Sequence, residues 1–231
     1  MARLLFLVEG ETEETFVNEF LASHLYAVGL ESVSARLLGN ARLRSRRGGI
    51  RAWPEVERDI LRHLRQDRAV AVTTMVDYYG LPHKQGDQRA WPGRATASAL
   101  PFPQRASHVE AALSSRLEEM HGKELDTSRF IPYVVMHEFE GLLFSDCSKF
   151  ADAIGKPNAV ASFQAIRDQF STPEEINDSP TSHPSQRVLD LVPEYQKPFY
   201  GTIAALEIGL TTIRCECPNF DSWLTRLEAL A

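Results

Sequence analysis

The chain opens on an apolar run, Leu4 to Val8, that stops at Glu9-Gly10. A short apolar run closed by a turn signal reads as a buried strand. Phe16, Val17, Phe20, Leu21 and Leu25 then fall on one face of a helix, with Thr12 placed to cap it and Glu13 and Glu14 suited to its first turn. Ser32 to Leu38 alternates as a second strand. Pro54 can open the next helix, whose stripe is Val56, Ile60, Leu61 and Leu64. Ala69 to Val76 is the clearest strand and ends at Asp77. This strand, helix, strand, helix, strand order predicts an α/β fold, a parallel sheet covered on both faces.

Residues 78–105 carry many prolines and glycines and little periodicity, the mark of a lid or binding loop. A helix with Val109, Leu113, Leu117 and Met120 on one face should follow, then a fourth strand from Phe130 to Met136 that ends at His137-Glu138. The remainder reads as helices broken at Pro157, Pro173, Pro180, Pro184, Pro193 and Pro198, closing on the stripe Trp223, Leu224, Leu227 and Leu230. No internal repeat is visible.

With 231 residues, 43% of them hydrophobic, the chain can bury one substantial core. No stretch approaches the ~20 apolar residues of a membrane span, and the first apolar run is followed by acids rather than a cleavage site. Cys147, Cys215 and Cys217 are too few and too oddly spaced for a disulfide framework. A cytoplasmic protein is therefore expected.

The formal charge of -6 hides an asymmetry: residues 36–68 hold ten arginines against four acids, near +6, which leaves the remainder near -12. A basic tract on an acidic protein can hold phosphates while the acids hold metal; it can equally be a solvated surface.

Three of the predicted strands end on an acid. Glu9 follows the first, Asp77 the third and Glu138 the fourth, with Glu13 one helical turn past Glu9 and Glu140 close behind Glu138. Ligands of open α/β sheets bind beyond the carboxyl ends of the strands, where loops and helix N-termini converge. Carboxylates gathered there repel one another unless a cation neutralises them, and Mg²⁺ prefers such oxygen donors. Taken singly each acid has an ordinary explanation, Glu13 as a partner of a helix dipole among them. The coincidence predicts a metal site.

The residues also carry a resemblance. Val8-Glu9-Gly10-Glu11-Thr12-Glu13 resembles the VEGxTE opening of the toprim domains in the overcoming-lysogenization-defect nucleases, and Asp77 is similar to the first acid of their Asp-x-Asp motif. Three further stretches, Val76 to Pro82, His137-Glu138-Phe139-Glu140-Gly141-Leu142-Leu143-Phe144, and Cys217-Pro218-Asn219-Phe220 ahead of Trp223-Leu224, resemble the bacterial domain-of-unknown-function family 4276.

The resemblance implies a toprim-like parallel sheet of about four strands in residues 1–146, helices on both its faces, and a helical C-terminal extension, 147–231, packed on it. It implies Mg²⁺ or Mn²⁺ held by Glu9, Glu13 and Asp77, with Glu138 or Glu140 as further ligands and an ABC-type ATPase as partner. Tyr79 stands where those domains carry a second Asp. The expected activity is a metal-dependent nuclease, on DNA ahead of RNA, in defence against phage. Glu9, Glu13 and Asp77 would be catalytic. The alternative is a non-catalytic module that binds nucleic acid or regulates the ATPase.

Candidates for phosphate contact are Arg42, Arg44, Arg46, Arg47 and Arg51 in the basic tract, with Lys84, Arg187 and Lys197; Tyr78, Tyr79 and Trp91 are candidates for base stacking. His137-Glu138 fails as a zincin motif because position 141 is Gly rather than a second His. Cys215 and Cys217 lack a partner pair for zinc. Gly48-Gly49 forms no GxxxxGK loop, so ATP hydrolysis by this chain is not expected.

Overall fold

The computed structural model describes residues 2–38, 50–84, 86–176 and 182–231. Strand β1 (Arg3–Val8) runs between β2 (Ser32–Leu37) and β3 (Val70–Asp77), and β4 (Phe130–Ile131) and β5 (Val134–Val135) both pair with the far side of β3. Every pairing is parallel. Successive side chains of a strand point to opposite faces. Leu4, Phe6 and Val8 therefore enter one core, and Leu5 and Leu7 the other.

The second core is closed by α3 (Trp53–Gln66) and α5 (Arg105–His121) through Val56, Ile60, Leu64, Val109, Leu113 and Leu117. Met120, expected in that stripe, is 54% exposed, because the last turn of α5 stands clear of the core. The first core is closed by the helix after β1 and by the C-terminal helices. That first helix is continuous: α1 (Glu11–Phe16) passes through a π-helical turn, Val17–Leu21, into α2 (Ala22–Ala27). Its cap is Gly10 and not Thr12, since β1 ends at Val8 and the chain turns within two residues, leaving Thr12 already inside the first turn.

The fourth strand is not continuous as expected. Pro132 has no N–H to give to a ladder. The Thr74 hydroxyl bridges the break instead, donating to Tyr133 O and accepting from Tyr133 N, both at 3.1 Å. Past the break, Val134 N donates to the half-buried Glu110 carboxylate at 2.9 Å.

Beyond β5 come α6 (Glu140–Leu143), α7 (Cys147–Ala153), α8 (Val160–Arg167), α9 (Pro184–Leu191), α10 (Lys197–Ile208), α11 (Leu210–Glu216) and α12 (Pro218–Glu228). They share the first core with the sheet. Trp223 stacks on Tyr133 with centroids 4.2 Å apart and donates Nε1–H to Thr73 at 2.9 Å. Among the described residues no helix is long and apolar enough to cross a membrane.

Candidate functional site

The strand order places β2 and β3 on opposite sides of β1, so the chain reverses direction across the sheet at the β1/β3 pair. The carboxyl ends of such a pair form the crevice in which α/β sheets bind ligands. Glu9 and Asp77 are the first residue past β1 and the last of β3. The Glu9 side chain reaches the end of β3 there: the backbone amide of Asp77 donates to Glu9 Oε2 at 3.2 Å. Gly10 leaves Glu13 its room, since a Cβ there would fall 2.9 Å from Glu13 Oε2. A Cβ at Gly80 would crowd Ile50 at 3.0 Å and only touch both Glu9 oxygens at 3.5 Å. Glu13, buried in the first turn of α1, joins the same rim.

Glu138 and Glu140 arrive from the other side, after β5. Glu138 is held by protein donors: Ser185 N at 2.9 Å, the His183 ring at 3.1 Å and Lys197 Nζ at 3.3 Å. Glu140 is buried, with Lys197 Nζ 3.8 Å from its Oε2. Two carboxylate atoms, Asp77 Oδ1 and Glu140 Oε1, are buried with no hydrogen-bond partner among the described residues.

The electrostatics follow from this crowding. Burial pushes Glu9 up to about 7; the Asp77 amide opposes this, while Glu13 and Glu138 reinforce it. Asp77 is driven well above the usual carboxylate range by burial and then by Glu13, Glu9, Glu138 and Glu140. Glu13 is likewise raised by burial. Burial takes Glu140 to about 7 against the pull of Lys197. Glu138 is the exception. Burial would raise it, but Lys197, the hydrogen bonds from Ser185 and the charge of His183 outweigh that and hold it low. Lys197 in turn is raised, because Glu140 and Glu138 overcome its own desolvation.

An all-oxygen donor set with unsatisfied buried carboxylate atoms fits a hard divalent cation. Among the described residues no group of three or more Asp, Glu, His or Cys side chains is placed so that it could hold a metal ion as it stands. Glu9 accepts from the Asp77 amide, and Glu138 from Ser185, His183 and Lys197.

The structure thus brings all five sequence-predicted acids to one rim. It also places Lys197 among them as their counter-charge. His183 and Ser185 were not anticipated; their signal is the Ser182-His183-Pro184-Ser185 stretch, which names no partner. Gly141, beside Glu140, makes room for backbone: a Cβ there would fall 3.2 Å from Pro173 O.

Of the stacking candidates, Trp91 and Tyr78 are 2% and 1% exposed and cannot meet a base, since both are packed into the core beside α3 and α5. Tyr79 is 42% exposed and stacks on His137. Arg42, Arg44, Arg46 and Arg47 lie outside the described residues. Lys84 is exposed on the segment after Asp77, and Arg51 is half-buried ahead of α3. Arg187 Nε donates to Ser182 O at 2.6 Å.

A family model described as a domain of unknown function, DUF4276, matches residues 8–228. Among solved structures, the C-terminal region of the OLD protein of Xanthomonas campestris pv. campestris is similar over 100% of this chain and 97% of that one, at 14% identity and a TM-score of 0.43. No curated protein sequence matches the chain.

Proposed function

This chain belongs to the DUF4276 family, and from that footing we propose that it is a Mg²⁺- or Mn²⁺-dependent nuclease, acting on DNA ahead of RNA. The observation that carries the reading is the pair of buried, unpartnered atoms, Asp77 Oδ1 and Glu140 Oε1, at a rim where five acids face a single lysine. Such groups are held against repulsion and desolvation, which a fold sustains where a cation or a proton is to be taken up. Glu9, Glu13, Asp77 and Glu140 are the residues that would hold the metal, with Glu138 at its edge. The chemistry supplied at such a site, when Mg²⁺ or Mn²⁺ is bound, is Lewis-acid activation of water and of a phosphodiester. Lys197 keeps the carboxylates together, and with 40% of its side chain exposed it can also meet a phosphate oxygen. The arginines of the basic tract, with Lys84 and Arg187, bind the backbone. Defence against phage alongside an ABC-type ATPase, in the cytoplasm, is the setting that the sequence resemblance supports.

The test is cleavage of supercoiled plasmid with Mn²⁺, Mg²⁺ or EDTA, with and without the ATPase. Nicked or linear product that needs metal and disappears in Glu9→Gln and Asp77→Asn is the expected result. No metal-dependent product even with the ATPase, together with no Mn²⁺ binding by calorimetry, would overturn it.

A second reading is favoured by two specific features: Tyr79 in place of a second Asp, and Glu138 satisfied by three protein donors. On that reading the chain is a non-catalytic module that binds nucleic acid or regulates the ATPase, and binding would persist unchanged in EDTA.

A further inference from the structure

His137 opens the His137-Glu138 pair and plays no part in the rim chemistry above. Its backbone has φ 73°, and among the described residues it is the one non-glycine in the left-handed region. An L side chain adopts that conformation at a conformational penalty, so its surroundings must hold it there. The ring is 1% exposed. Tyr79 stacks on it with centroids 4.6 Å apart and planes 21° from parallel; Phe102 stacks on it at 5.1 Å and 28°. Two aromatic rings from different segments thus stack on one imidazole.

The three rings come from three segments. Tyr79 follows β3 two residues after Asp77; His137 follows β5 directly before Glu138; Phe102 belongs to the irregular stretch that precedes α5. That stretch is tied down elsewhere as well. The buried Arg94 donates from Nε to Tyr78 O at 2.9 Å and lies 3.8 Å over the Tyr78 ring, and Trp91 N donates to Pro82 O at 2.8 Å. With β5 paired to Val76 and Asp77, the left-handed turn at His137 is the last backbone feature that sets where Glu138 points.

We propose that His137 is a positioning residue: clamped between Tyr79 and Phe102, it fixes the left-handed turn that aims Glu138 at the rim and couples the Tyr79 turn and residues 94–104 to that acid. The inference rests on the metal-dependent reading for what Glu138 does there, but not for the clamp itself. It also gives Tyr79 a task. Where a second acid would stand, an aromatic ring holds the backbone that delivers a carboxylate from the neighbouring strand.

The variants are Tyr79→Ala, which removes one jaw, Tyr79→Phe, which keeps the ring, and His137→Gly, which keeps access to positive φ and loses the stack. Hydrogen exchange on metal-free protein is the primary measurement. The amide of Ser185 donates to Glu138 Oε2, those of Gly141 and Leu142 to the carbonyls of Glu138 and Phe139. In Tyr79→Ala and His137→Gly these amides should exchange at least tenfold faster, along with residues 94–104, while α12 stays protected; Tyr79→Phe should restore the wild-type pattern.

Calorimetry with Mn²⁺ is the second arm, with affinity expected to fall about threefold in the same two variants, no further than in Glu138→Gln, because the clamp acts through that acid. Unchanged exchange at Ser185, or a uniform rise that includes α12, would overturn the clamp. Wild-type protein that takes up no Mn²⁺ would overturn the metal reading instead, and the clamp would still stand or fall on exchange.

Discussion

Glu138 and Glu140 are two residues apart and differ in every respect that matters to a cation. Glu138 has three donors on its two oxygens and is held below the usual carboxylate range. Glu140 has an oxygen with no partner and sits at about 7. A metal displaces hydrogen bonds to reach the first and displaces nothing to reach Oε1 of the second. Glu140→Gln is therefore expected to weaken Mn²⁺ binding by 10-fold or more, on the order of 1.4 kcal/mol or above, and Glu138→Gln by less. Calorimetry on the two variants decides it; equal losses would mean that Lys197 and Ser185 release Glu138 when metal arrives. From sequence the two could not be ranked, because the distinguishing partners, Ser185 and Lys197, lie 47 and 59 residues away along the chain.

At the scale of elements, the Cys217-Pro218-Asn219-Phe220 motif is a helix start whose cap comes from elsewhere. The buried Glu174 carboxylate accepts from Asn219 N and Phe220 N, both at 3.0 Å, satisfying two of the N–H groups a helix leaves open at its first turn. Burial nonetheless lifts Glu174 to about 7. Glu174→Ala should destabilise the protein by about 2–3 kcal/mol in urea unfolding, the penalty of leaving buried donors unmatched, with α12 the first helix to lose protection. An unchanged midpoint would mean that solvent replaces the carboxylate.

The same cap marks what the sequence could and could not tell. Strands β1 and β3 were legible because a continuous apolar run closed by a polar stop is the local mark of a strand buried on both faces, and the acids at their ends were legible for the same reason. The apolar run Phe130 to Met136 read as one strand although Pro132 interrupts it, and the repair by the Thr74 hydroxyl was not legible, since side-chain substitution for a ladder bond leaves no periodic trace. Glu174 and Glu110 accept from backbone amides, and Ser185 donates to a carboxylate, far away in sequence, and nothing in their own neighbourhood announces it.

Over the whole molecule, charge is separated: a tract near +6 beside a remainder near -12 whose acids crowd one rim. If Arg42, Arg44, Arg46, Arg47 and Arg51 meet phosphates, replacing them by Gln should flatten the salt dependence of DNA binding by ~0.9 units of slope for each phosphate no longer neutralised. An unchanged slope with loss of a complex on a sizing column would assign the tract to a protein partner.

The crowded acids make a second demand, on stability. Glu9, Glu140, Glu110 and Glu174 each sit at about 7 against an ordinary value of 4.5, and Asp77 is raised as well. For an acid raised in the folded state, the stability it contributes is complete below its unfolded value and is lost as pH climbs through its folded one. The metal-free protein should therefore lose stability between pH 5 and pH 8, each such acid accounting for up to about 3 kcal/mol. Asp77→Asn should flatten that fall by removing one charge from the rim.

A cation that binds the folded state alone acts in the opposite direction, adding about 2.7 kcal/mol at 100 times its dissociation constant. Mn²⁺ should accordingly raise the melting temperature strongly at pH 8 and hardly at all at pH 5, where protons already neutralise Glu9 and Glu140. Melting curves at the two pH values, with Mn²⁺ or EDTA, measure this directly. A Mn²⁺ effect equal at both would place the ion away from the rim acids.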